Sequence, residues 1–160
     1  MGSNIGNYID ERAVDFLKMI SQFMKRGDLL LVGIDLRKNP LKILKAYDDS
    51  KGVTKRFNLN LLDRINRELS GNIDVSAFDH YPYYDPVSGI AHSYLVSLTD
   101  QNAQIGEHII HFGKNELIHM EVSQKYSLQE IEDLGNSSGF KNVSHFLDSK
   151  EYFSVSAFEK

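Results

Sequence analysis

The segment from His119 to Ser127, HMEVSQKYS, contains the side chains whose types and spacing are best suited to chemistry. If the segment is a strand, its side chains alternate between two faces, so Glu121 and Ser123 share a face with His119 and Lys125. An acid and a hydroxyl on one face could form the wall of a pocket for a ligand that donates hydrogen bonds. They could equally lie on the solvated face of an ordinary antiparallel sheet. Periodicity alone leaves both interpretations open.

A second polar segment, AYDDSKGVTKRFN at residues 46–58, interrupts an otherwise helical stretch. Asp48 or Asp49 is placed to cap a helix that begins near Val53, because a carboxylate can accept hydrogen bonds from the first free N–H groups of a helix. Tyr47 can either pack against the junction or project its hydroxyl from a loop toward a ligand. Local physics favours the capping and packing roles.

The histidines and glycines do not form a recognisable cofactor or metal pattern. His108 and His111 lie three residues apart on a predicted strand, which puts them on opposite faces, and neither has zinc-type spacing with a second pair. The glycines of GSNIGN, Gly2 and Gly6, are turn-forming and could bring backbone close to a ligand, but they match neither a phosphate loop nor a dinucleotide fingerprint. The absence of cysteine excludes disulfides, thiolate catalysis and cysteine-ligated metals. We therefore expect no metal site.

The composition is that of a soluble globular protein rather than a disordered or fibrous one. A chain of 160 residues suits one domain, or one domain with a large insertion. With 18 Lys and Arg against 22 Asp and Glu, and no basic cluster, the charge balance argues against a nucleic-acid partner. No segment resembles a signal peptide, and no apolar run approaches the roughly 20 residues of a membrane span. These features predict a cytoplasmic, soluble protein without a membrane partner.

The elements that must position these residues can be predicted from periodicity and end signals. The continuous apolar run at 28–36 is typical of a strand covered on both faces, as in a parallel sheet. Asp10 is placed to cap the helix over 10–26, which precedes this strand. Ser127 and Glu130 have the spacing of a capping box at the start of a later helix. The predicted elements are helices over 10–26, from Pro40, over 53–71 and over 127–140, three or four antiparallel strands over 78–123, and a final hairpin of strands at 142–148 and 152–158. AQIGEHIIHF at 103–112 is predicted as one of the antiparallel strands. The helix over 53–71 has apolar residues at four-residue steps: Val53, Phe57, Leu61, Ile65 and Leu69.

Three segments in this order and spacing resemble a known enzyme family: GSNIGNY, AYDDSKGVTKRFNLNLLDRINREL and HMEVSQKYSLQEIEDLGNSSGF. They resemble the S-adenosylmethionine-dependent histidine Nα-methyltransferases, which make the trimethylhistidine precursor of ergothioneine. The resemblance implies an α/β fold, the C-terminal part of a class I (Rossmann-like) methyltransferase core at 1–36 and 126–160. Residues 37–125 would form an inserted α+β substrate-binding domain. Because the family's glycine-rich cofactor motif lies upstream of GSxIGN, the resemblance also implies a C-terminal half only.

The resemblance assigns roles to individual residues. Asn7 and Tyr47 would bind the amino and carboxylate end of the substrate, and Glu121 and Ser123 would hold the imidazole. Gly2 and Ser3 would lie near the edge of the cofactor, S-adenosylmethionine. The chain departs from the family pattern at Val122, Gln124 and Ser93, the last at a position where the family has a pocket methionine. These departures leave histidine and related amino acids open as substrates.

A competing interpretation is a binding or assembly module that kept the fold without cofactor chemistry. In a half-domain the apolar strand at 28–36 would present an unpaired edge, and such edges promote association. This interpretation predicts a partner that supplies the N-terminal half, or a homo-oligomer. A monomer in sedimentation would argue against it.

Overall fold

The computed structural model describes residues 1–9 and 11–160, so the predicted helix cap at Asp10 lies outside the described residues. The fold contains both helices and strands, which confirms the predicted α/β class. The chain divides into two compact units, one of residues 1–40, 85–91 and 122–160, the other of residues 41–84 and 92–121. The first unit includes 85–91, which the predicted domain boundaries placed in the insertion. The assignment of the units as methyltransferase core and substrate domain stays a prediction.

The described residues form four α-helices, eight strands and two short 3-10 helices. The α-helices are α1 (Glu11–Ser21), α2 (Pro40–Tyr47), α3 (Val53–Glu68) and α4 (Leu128–Ser137), and the 3-10 helices are Ser3–Asn7 and Val75–Ala77. The strands are β1 (Leu29–Asp35), β2 (Phe78–Asp85), β3 (Ile90–Ser97), β4 (Gln101–Ile105), β5 (His108–Phe112), β6 (Leu117–Gln124), β7 (Asn142–Leu147) and β8 (Phe153–Glu159).

The first unit contains a three-stranded sheet in the order β1-β8-β7, and both pairs are antiparallel. Its core joins one face of β1 to α1 and α4 through apolar side chains that include Val32, Leu17 and Ile131. The capping box of α4 is present as predicted: Ser127 accepts from the Glu130 N–H, and Glu130 accepts from the Ser127 N–H. The helix, the strand and the final hairpin therefore share one hydrophobic core, as expected.

The prediction that β1 is covered on both faces is wrong for its first half. Leu29 and Leu31 are 62% and 51% exposed, because only the alternate face, which carries Val32 and Ile34, packs into the core. A run of apolar residues cannot show which face a helix will cover. The strand edge predicted to be unpaired is also partly occupied, since Gly33 N–H donates to Met1 C=O.

The second unit packs α3 and a β4–β5 hairpin against a sheet in the order β2-β3-β6. Two predictions for this unit need correction. The segment AQIGEHIIHF forms two strands rather than one, because Gly106 adopts a left-handed turn conformation (φ 58°) between them. Of the residues predicted as one apolar face of α3, Val53, Phe57, Leu61 and Leu69 are exposed, whereas Ile65 packs against the second core. Leu62, outside that set, is buried.

Candidate amino-acid-binding residues

The strand β6 presents Glu121 on an open face, as the alternation predicts. Exposure alternates along its first five residues, with His119 and Glu121 exposed and with Ile118 and Met120 packed against the second core. Ser123 lies two residues beyond Glu121 on the same strand, so alternation gives it the same side of the strand. The boundary between the compact units falls between Glu121 and Val122.

Aromatic and imidazole rings lie on the face of the sheet that carries Glu121. The Tyr94 and His119 ring centroids are 5.1 Å apart, and those of His92 and His119 are 5.7 Å apart. His92 and Tyr94 alternate along β3 with the buried Ser93 and Leu95, and His119 shares its face of β6 with Glu121.

Ser93, the position at which the resemblance expects a pocket methionine, lies on the other face of β3. It is 2% exposed, on the same side of the strand as the core residue Leu95. The β3 side chains on the same side as Glu121 include those of His92 and Tyr94. A one-residue displacement along a strand exchanges the two faces, so motif spacing alone could not settle this position.

In the first unit, Ser123 lies against the glycine segment that precedes Asn7. A Cβ placed on Gly6 would be 3.3 Å from Ser123 Oγ and 2.9 Å from Gln124 C=O. Only a glycine allows the 3-10 helix Ser3–Asn7 to approach the end of β6 so closely. Two predicted substrate-binding segments, around Asn7 and Ser123, therefore meet in this unit.

Lys125, which directly follows β6, is the residue whose environment the sequence did not predict. It is 3% exposed, and its ammonium donates to Ser123 Oγ at 2.7 Å and pairs with Asp35 at 3.1 Å. Lys38 pairs with the other carboxylate oxygen of Asp35 and donates to Tyr152 C=O at 2.9 Å. The alternation had placed Lys125 with the polar face, and the interval of two residues from Ser123 was the signal that could have suggested a contact.

Gly2 and Ser3 offer open space and few ligand groups. A Cβ on Gly2 would meet no atom within 4 Å, and both residues are exposed. Backbone N–H groups and one hydroxyl suit the edge of a cofactor. They do not supply the acid that a ribose normally requires, and the role of these two residues at the edge of the cofactor stays a prediction.

Tyr47 lines a separate cavity of about 360 Å³ in the second unit. The lining residues are Tyr47, Asp48, Asp49, Ser50, Gly52, Lys55 and His80. His80 projects from the α3 side of β2, where it lies 3.4 Å from Asn58 Nδ2, and burial lowers its pKa below the ordinary value. Among the described residues, neither Glu121 nor Ser123 belongs to this lining.

Asp49 has the capping role that local physics predicted for Asp48 or Asp49. Its carboxylate accepts from Val53 N–H at 2.9 Å and from Thr54 N–H at 2.8 Å. These backbone hydrogen bonds, that of Thr54 first, lower the pKa of Asp49 from 3.8 to about 2. Asp49 thus holds the start of α3 next to Tyr47.

Residues 1–9 and 11–160 contain no group of three or more His, Cys, Asp or Glu side chains that could hold a metal ion. In the same part of the chain, no helix has the length and apolar character needed to cross a membrane.

Comparison with known proteins places these residues in a family. The family of histidine-specific, S-adenosylmethionine-dependent methyltransferases matches residues 1–160. A histidine Nα-methyltransferase of Mycobacterium tuberculosis is 32% identical over 98% of this chain and 49% of its own length. Ergothioneine biosynthesis protein 1 of Neurospora crassa is 31% identical over 95% of this chain and 17% of its own length. An L-tryptophan methyltransferase of Psilocybe serbica is 28% identical over 96% of this chain and 44% of its own length.

This chain spans about half the length of the bacterial relative and less of the fungal ones. The family match covers every residue, including the three segments on which the resemblance was based. The family predicted from those segments is confirmed: the chain belongs to the histidine-specific, S-adenosylmethionine-dependent methyltransferases.

Proposed function

We propose that this chain binds histidine for S-adenosylmethionine-dependent methylation of its α-amine. The observation that carries the proposal is the pairing along β6 of an exposed acid, Glu121, with a hydroxyl, Ser123, beside the Gly6–Asn7 segment. The family match and the name of the mycobacterial relative support histidine as the substrate. The tryptophan methyltransferase among the relatives supports an aromatic amino acid more generally.

The chemistry of the side chains suits the two ends of histidine. Glu121 accepts a hydrogen bond from one ring N–H, and Ser123 donates to the other ring nitrogen, which has a lone pair in the neutral imidazole. The resemblance assigns the amino and carboxylate end of the substrate to Asn7 and the carboxylate to Tyr47, which lines a different cavity. A site built from such paired polar groups rejects a ring that lacks the nitrogens, often by about 10⁴-fold.

The residues act by orientation rather than by covalent catalysis. The amine must lose its proton before it can form a bond to a methyl carbon, and a fixed amine in a site with little water reaches that geometry at low entropic cost. When bound, S-adenosylmethionine supplies a methyl group on a positively charged sulfur. Gly2 and Ser3 would border it.

Titration calorimetry of the 160-residue chain with histidine tests the proposal. Glu121→Ala should weaken binding by about tenfold or more, because a hydrogen bond to a charged group is lost. Glu107→Ala, an exposed acid in the β4–β5 turn, is the matched control and should leave the affinity unchanged. Equal affinity in wild type and Glu121→Ala would refute the role of Glu121.

A second function, amino-acid binding without methyl transfer, is favoured by one observation. Gly2 and Ser3 are exposed and provide no carboxylate for a ribose. Calorimetry with S-adenosylmethionine separates the two functions. Binding of the cofactor, followed by transfer of a labelled methyl group to histidine, supports the methyltransferase. Histidine binding without cofactor binding supports the binding module.

A further inference from the structure

The buried ammonium of Lys125 has a defined hydrogen-bonding relation to Ser123. Lys125 is 3% exposed, and its Nζ lies 2.7 Å from Ser123 Oγ and 3.1 Å from Asp35 Oδ2. Burial of a charge is costly unless the charge is paired and hydrogen-bonded. The ion pair with Asp35 accounts for the stability of the charge. The ion pair does not account for the contact with Ser123, a half-buried residue two positions after Glu121 on β6.

The chemistry of the two groups fixes the direction of that hydrogen bond. An ammonium has three donors and no acceptor, so Ser123 Oγ must accept from Lys125. The serine hydroxyl keeps one hydrogen, which has to be donated elsewhere. Gly6 approaches Ser123 closely, because a Cβ added to this glycine would lie 3.3 Å from Ser123 Oγ. This approach leaves little room for the hydroxyl to change position.

We infer that Lys125 is a positioning residue that makes Ser123 a hydrogen-bond donor to the substrate ring. This inference rests on the proposed function. A ring nitrogen that receives the Ser123 hydrogen must be unprotonated, while the nitrogen that donates to Glu121 must carry its hydrogen. Lys125 occupies one of the two lone pairs of Ser123 Oγ, and its positive charge 2.7 Å away disfavours an imidazolium, which would bring a second cation to the hydroxyl. Lys125 thereby selects a neutral imidazole in a single tautomer.

Calorimetry with histidine and with β-(2-thienyl)alanine, a five-membered ring without nitrogen, measures this selection. Wild type should prefer histidine by at least about 100-fold, since Glu121 and Ser123 lose their hydrogen-bond partners with the thienyl ring. Lys125→Met should lower that preference by about tenfold or more. In a Ser123→Ala background, Lys125→Met should cause no further loss, because the lysine acts through the hydroxyl.

Lys38→Met is the matched control, because Lys38 pairs with the same carboxylate, Asp35, through the other oxygen. If Lys125 only stabilised the fold through Asp35, both lysine variants would weaken the two ligands equally and keep the preference. That result would overturn the inference. A preference lost in Lys125→Met and kept in Lys38→Met supports it.

A measurement on the wild type covers the case in which Lys125→Met does not fold. Nitrogen NMR of ring-labelled histidine, bound at about pH 6, should show one protonated and one bare ring nitrogen, although free imidazole is largely cationic there. A bound imidazolium would overturn the role of Lys125 and leave histidine binding intact. Equal affinity of wild type for both amino acids, or no binding of either, would instead refute the proposed function.

Discussion

At the scale of single residues, the absence of a side chain at Gly6 is required by its neighbours. We expect Gly6→Ala to destabilise the chain by about 1–3 kcal/mol, because its Cβ would lie 2.9 Å from the Gln124 carbonyl oxygen and backbone would have to move. Histidine affinity should fall as well, since Ser123 lies on the same side. Gly2→Ala, with no atom within 4 Å, is the stability control in thermal unfolding. Equal melting temperatures for both variants would contradict this packing.

Asp49 makes a second prediction at this scale. Its folded-state pKa of about 2 is below the ordinary 3.8, so the cap stabilises α3 fully above pH 4 and loses its effect as the pH falls toward 2. Asp49→Asn should lower the melting temperature at pH 7 by about 2–4 °C and by less at pH 2. Asp48→Asn should leave the melting temperature unchanged at both pH values. If the decrease in melting temperature caused by Asp49→Asn were as large at pH 2 as at pH 7, that result would argue against an ionised cap.

Single residues with local roles were predictable, and those with distant partners were not. The capping roles of Asp49 and Ser127 follow from hydrogen bonds within five residues, which spacing reveals. Lys125 pairs with Asp35, ninety positions earlier, and only the folded chain brings the two together. The roles of Asn7, Tyr47, Glu121 and Ser123 stay predictions that the binding experiments test.

At the scale of elements, α3 shows what an apolar period can and cannot decide. The four-residue steps predicted a helix, and Val53–Glu68 is one. The same steps selected a face that is largely exposed, although Ile65 on it packs against the second core. A helix of this composition has apolar side chains on more than one side, and tertiary packing chooses between them. Val53, Phe57 and Leu61 form an exposed row while Leu62 enters the core.

A pair of truncations on α3 distinguishes the two faces. Leu62→Ala should cost about 2–5 kcal/mol, because the residue is 2% exposed and truncation leaves a cavity. Phe57→Ala should cost less than about 0.5 kcal/mol, since its side chain is 72% exposed. Urea unfolding of both variants measures the difference. A larger loss for Phe57→Ala would mean that this row is covered in solution.

At the scale of the whole molecule, residues 1–9 and 11–160 contain two hydrophobic cores that share no residue. One core includes Leu17 and Phe158 of the first unit, and the other includes Leu62, Phe78 and Leu95 of the second. The sequence indicated the α/β ends and the β-rich middle, because strand and helix periods differ. It could not assign residues 85–91 to the first unit, since that assignment depends on contacts such as Arg37 with the Ser88 carbonyl.

Separate cores predict that damage to one unit stays local. Leu62→Ala should raise amide hydrogen exchange within 41–84 and 92–121 and leave β7 and β8 of the first unit protected, because the cavity opens in a core to which those strands do not contribute. Leu17→Ala, fully buried in the first unit, should give the reverse pattern. Exchange measured by mass spectrometry on both variants provides the comparison. If either truncation raised exchange equally throughout the chain, the units would unfold as one cooperative body, and a ligand held by residues of one unit would stabilise both.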